Sequence, residues 1–116
     1  MDYTQYLPGK AIQTGCEWRL KIKITSAALE AFPETATFLA QIRDDVEGPI
    51  KAALSTALGS IVRADANTIE LRLSGAATTE WRAGTVVMDV VRTDLVQPVH
   101  LGFDLEIPVK RSITRL

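Results

Sequence analysis

Apolar and polar positions alternate along most of this chain, and the alternation is most sustained in residues 80–107, EWRAGTVVMDVVRTDLVQPVHLGFDLEI. Val86, Val87, Met88, Val90 and Val91 form a β-rich run interrupted only by Asp89. Beyond it, Val99, Leu101, Phe103, Leu105 and Ile107 alternate with His100, Gly102, Asp104 and Glu106. A period of two places each set on its own face of a strand. Thr93 and Asp94 read as a tight reversal between the two runs, so the stretch predicts an antiparallel hairpin. A hairpin this apolar on one face needs the rest of the chain to cover it.

The same period recurs upstream. In EWRLKIKIT, residues 17–25, Trp18, Leu20, Ile22 and Ile24 point one way and Glu17, Arg19, Lys21 and Lys23 the other. A fully charged outer face belongs to an antiparallel sheet with one wet side, and these cations read as solvated exterior. Residues 26–35 form a connection in which Pro33 stops any helix early. In TFLAQIR, residues 37–43, Phe38, Ala40 and Ile42 face inward, while Leu39 falls on the outer parity. Residues 44–49, DDVEGP, predict a turn, and residues 50–57 are too short between Pro49 and Gly59 for a stable helix. They are expected to pair back on residues 37–43. Residues 61–63 make a short strand, and TIELRL, residues 68–73, sets Ile69, Leu71 and Leu73 against Thr68, Glu70 and Arg72. Ser74 can cap a short helix near residues 74–81, with Trp81 as a plug over the open end of the sheets.

Seven to eight strands with turn signals roughly every 8–12 residues predict an all-β fold, a single antiparallel β-sandwich. A barrel is disfavoured, because the strands are unequal and no glycine pattern repeats. Residues 1–15 are read as an N-terminal arm or first edge strand, 16–109 as the sandwich, and 110–116 as a fraying tail.

Composition narrows the function. The 116 residues are 47% hydrophobic and 23% charged, with a net charge of −1, which fits one globular domain. No basic block is present and aromatics are sparse, so nucleic acid is not an expected partner. Neither an 18-residue apolar run nor a signal-peptide pattern occurs, so no membrane span and no standard export are expected. Cys16 is the single cysteine, which excludes an internal disulfide.

Candidate chemistry is thin. His100 is the single histidine and lies on the polar face of its strand, so it reads as a surface or interface residue and not as a general base. Asp44, Asp45 and Glu47 lack the glycine placement and closing glutamate of a calcium loop, and they read as a solvated hairpin tip. No dinucleotide fingerprint, phosphate loop or nucleophile elbow occurs, so neither enzymatic activity, a cofactor nor a metal is expected. Function then rests on surfaces. The candidate contact residues are Tyr3, Tyr6 and Leu7 in the N-terminal arm, together with Trp81 and His100.

The order of segments carries a resemblance. FLAQIR at 38–43 is followed by TIELRLS at 68–74 with Thr78, then Gly84, VVMDVVRTD at 86–94 and GFDLEIPV at 102–109. Taken together, residues 18–109 resemble the immunoglobulin-like N-terminal domain of phage baseplate upper proteins and related small tail-associated proteins. The resemblance implies an immunoglobulin-like sandwich acting as a structural adaptor in a bacteriophage or prophage tail. Its partners would be other tail or baseplate proteins and further copies of the chain in a homo-oligomer or ring, in the virion or in the host cytoplasm during assembly. Asp89, Thr93 and Asp94 would belong to the scaffold. Two departures stand out: DLVQ at 94–97 lacks the aspartate–glycine turn common there, and the usual long C-terminal extension is missing, which favours a stand-alone building block. The alternative is a carbohydrate- or ligand-binding β-sandwich module, which needs exposed aromatics around Tyr3, Tyr6 and Trp81.

Overall fold

Among the described residues the chain forms nine strands in two sheets, most of them from the alternating segments. The structure, a computed structural model, describes residues 5–8, 10–23, 35–65 and 68–114. In chain order the strands are β1 (Gln5–Pro8), β2 (Ile12–Gln13), β3 (Trp18–Lys23), β4 (Phe38–Arg43), β5 (Ile50–Ser55), β6 (Ile61–Asp65) and β7 (Thr68–Leu73). A four-residue helix, α1 (Gly75–Thr78), precedes β8 (Gly84–Arg92) and β9 (Val99–Lys110). The larger sheet runs β1-β9-β8-β4-β5, with β2 also on β9, and the smaller runs β3-β7-β6. Among the described residues no helix is long and apolar enough to cross a membrane.

The expected hairpin is the centre of the larger sheet. β8 and β9 pair antiparallel from Gly84 opposite Val109 to Arg92 opposite Val99. Their connection is wider than a tight turn, because residues 93–98 lie outside both strands. β5 does pair back on β4 through the acidic turn, with Ala40 opposite Leu54. β7 is the middle strand of the smaller sheet, between β3 and β6.

Both sheets turn their alternate apolar residues into one core. Phe38, Ala40 and Ile42 of β4, Val86, Met88 and Val90 of β8, and Leu101 to Val109 of β9 form one wall. Trp18, Ile61, Ile69, Leu71 and Leu73 form the other. Trp18 is 2% exposed, and its indole N–H donates to the Lys10 carbonyl at 2.8 Å, so its one polar atom is satisfied inside the core.

Two readings of the ends need correction. The antiparallel expectation misses β1 and β2, which pair parallel to β9 along one edge. Parallel neighbours require a crossover, and the chain supplies it by passing through the smaller sheet before β9 returns. The segment read as a fraying tail is anchored at Ser112. Its hydroxyl donates to the Thr14 carbonyl at 2.6 Å and its amide to Thr14 Oγ1 at 3.1 Å, both buried. A polar serine gives no hydropathy signal for such an anchor.

The outer face of the smaller sheet also departs from simple solvation. Glu70 lies on the polar face of β7 but is buried beneath its neighbours. Arg72 holds it at 2.6 Å, and the charges of Arg19 and Lys21 flank it. The Arg72 hydrogen bond leads in keeping its carboxyl below the usual range, against the opposing effect of desolvation. Part of the cationic face of β3 therefore neutralises a carboxylate of the same chain.

Candidate functional site

The register of β4 and β8 decides which loops share an end of the larger sheet. Phe38 pairs with Arg92, and Leu39 pairs with Ser55. The β8–β9 loop and the β5–β6 loop therefore leave the same end. That end carries exposed apolar side chains: Leu58 at 74% on one loop and Val96 at 99% on the other, with Leu95 and Val99 beside it. Exposed apolar residues gathered at one end of a sheet are a common feature of contact surfaces.

The β8–β9 loop is braced at its root. Both carboxylate oxygens of Asp94 accept from Arg92, at 2.8 and 2.9 Å. Asp94 also accepts from the Thr37 amide at 3.2 Å, and the Thr37 and Thr93 hydroxyls meet at 2.8 Å. The Thr93 amide donates to the Thr37 carbonyl at 2.9 Å. The Arg92 hydrogen bond is the chief reason the Asp94 carboxyl is lowered to about 2, and it raises Arg92 in turn. A fork-to-carboxylate pair fixes orientation as well as distance. The apolar tip is thus presented on a fixed base.

A second feature lies on the outer face of the same sheet. β8 and β9 change register between Asp89 and Val91, so that Asp89 faces Asp104 while Val91 faces His100. The extra residues sit on β9 around Gly102, whose φ of 92° is open to glycine and strained for other residues. The bulge shortens the path along β9. His100 therefore reaches Asp104 four residues on, with Nε2 3.3 Å from Oδ1, and Asp89 on the neighbouring strand at 3.2 Å. A shallow recess of about 150 Å³ adjoins these carboxylates, lined also by Gln41, Arg43 and Val46.

The residues proposed from the sequence fall in separate places. Tyr3 lies outside the described residues. Tyr6 and Leu7 are on β1, at register positions opposite Asp104 and Leu105. Trp81 is 7% exposed, with the Lys51 ammonium 4.9 Å from its ring centre, so it serves the core. His100 is exposed on the sheet face between two aspartates. At the acidic turn, Asp44 pairs with Lys51 at 3.1 Å and Asp45 accepts from the Glu47 amide at 3.0 Å. Neither the apolar loop end nor the Asp89–His100–Asp104 group was identified from the sequence. Period two does put residues 100 and 104 on one face, but the partner at 89 depends on strand register.

These features define a β-rich domain of two sheets around one core, with distinctive chemistry on its loops and outer faces. No protein-family model matches the chain, and no curated protein matches it.

Proposed function

We propose that this chain is a structural component or adaptor of a bacteriophage or prophage tail or baseplate, working through protein–protein contacts. The observation that carries a contact role is the braced loop end, with Leu58, Leu95 and Val96 exposed and Asp94 tied to Arg92 and Thr37. The tail assignment comes from the resemblance of residues 18–109. The strand order is compatible with it: five principal strands with a parallel first and last pair, opposed to a three-stranded sheet, suit an immunoglobulin-like sandwich. In that reading the protein resides in the virion, or in the host cytoplasm during assembly, and copies associate in a ring.

The alternative, a carbohydrate- or ligand-binding module, needs exposed aromatics. Among the described side chains, Trp18, Trp81, Phe38 and Phe103 are all buried, which weighs against it.

Light scattering over a wide concentration range tests the contact role. The expected result is a discrete oligomer that the double variant Leu58→Asp/Val96→Asp dissolves without loss of the β-sheet circular dichroism spectrum. A full-length chain that stays monomeric at every concentration would overturn the ring.

A further inference from the structure

The outer face of β8 and β9 contains a juxtaposition that sheet stability alone disfavours. Asp89 and Asp104 are directly opposite across the strand pair, where like charges repel. Neither forms an ion pair with a lysine or arginine among the described residues; His100 is the one basic group in reach. Arg43 lines the same recess, but its guanidinium is held by the Gly48 carbonyl at 2.5 Å and by Gln41 Oε1 at 2.9 Å.

We propose that Asp89, His100 and Asp104 form a binding site for a borderline divalent transition ion of the zinc class. One imidazole nitrogen and two carboxylate oxygens lie within 4.8 Å of one another, with solvent on the open side. Ligand atoms about 2.0–2.2 Å from a zinc ion, at tetrahedral to octahedral angles, stand about 2.8–3.6 Å apart. The separations of 3.2 and 3.3 Å from Nε2 to the two carboxylates are edges of such a polyhedron. The same nitrogen faces both carboxylates, each contact being an ion pair when the ring is protonated and a pair of ligand edges when a metal replaces that proton. A divalent cation would also neutralise the opposed aspartates. The mixed nitrogen and oxygen donors favour zinc over calcium or magnesium, which take oxygen-only shells.

The ring's other nitrogen adds a specific consequence. The Gly102 amide donates to His100 Nδ1 at 2.9 Å, so the proton of the neutral ring sits on Nε2. Coordination through Nε2 moves that proton to Nδ1, and two donors then face each other. The Gly102 amide must turn away. Glycine at φ 92° with open space around its Cβ position leaves the bulge free to make that change. Zinc binding is therefore coupled to a tautomer switch of His100 and to the bulge of β9.

Titrating the full chain with zinc chloride, followed by calorimetry and by nitrogen-15 NMR of the backbone and the imidazole, tests the proposal. The expected result is saturable one-to-one binding, a change from the Nε2–H to the Nδ1–H tautomer, and a shifted Gly102 amide. His100→Ala should weaken zinc binding at least tenfold. Asp104→Asn, which removes one of the opposed charges, should lose the zinc response while its metal-free melting temperature holds or rises. Calcium chloride should bind far more weakly. Absence of saturable zinc binding would overturn the site, as would undiminished binding to His100→Ala or binding with the ring tautomer unchanged.

Discussion

At the scale of single residues, polar groups secure the joints between segments. Thr78 is fully buried at the end of α1, where its hydroxyl accepts from the Gly15 amide at 3.0 Å and donates to the Gly75 carbonyl at 3.2 Å. Gly75 starts that helix hard against Gly15, where any Cβ would collide with the Gly15 carbonyl. Replacing Thr78 with valine keeps the shape and removes the partner of the Gly15 amide. Gly15 itself is exposed, so its amide can turn to water, and the expected cost is about 0.5–1.5 kcal/mol, the net worth of one hydrogen bond, measured by urea denaturation. Trp18, by contrast, announces itself in the sequence. A lone tryptophan on the apolar parity of EWRLKIKIT belongs in a core, and Trp18→Ala should cost about 3–5 kcal/mol in the same measurement. The signal for Trp18 is local, whereas Thr78 depends on a loop sixty-three positions away.

At the scale of elements, period two identified most of the strands from β3 onward and most of their inward faces, but not β1 and β2. β7 has the expected bounds, and β4 and β5 lie within the predicted segments. β9 runs past Pro108 to Lys110, because Val109 continues the buried row and β2 covers its edge. The β8–β9 loop is governed by Asp94, whose role as a brace depends on Thr37 from another strand's entrance. Its folded-state carboxyl at about 2 lies below its ordinary value of 3.8. A depressed carboxylate contributes stability that is present above the unfolded value and is lost as pH falls through the folded one. The contribution should therefore fade between about pH 4 and pH 2. Asp94→Asn is expected to lower the melting temperature at pH 7 and to flatten the stability profile across that acid window, as read by thermal melts at half-unit pH steps.

At the scale of the whole molecule, the parallel strands at the edge determine how the domain meets its surroundings. β1 covers β9 from Phe103 to Glu106, and β2 covers it at Val109 and Lys110. An uncovered edge is a template for pairing with other chains. Deleting residues 1–9 should therefore reduce stability and increase irregular, concentration-dependent association, visible as polydispersity in light scattering. That outcome differs from the discrete oligomer expected of a contact through Leu58 and Val96, so the two surfaces can be told apart. The opposite edge, β5, is exposed at Ile50 and carries Lys51, a charge of the kind that discourages edge pairing.

By itself, the sequence determined the β-rich class, the parity of the strands, the central hairpin and the short helix, because alternation and turn chemistry act over a few neighbouring residues. Register, edge pairing and loop neighbourhood were decided by the tertiary structure. A bulge at Gly102 sets His100 between Asp89 and Asp104, and the pairing of Phe38 with Arg92 brings Thr37 to Asp94. Those contacts join residues far apart in the chain, and their energies exist only once the sheets have formed around a common core.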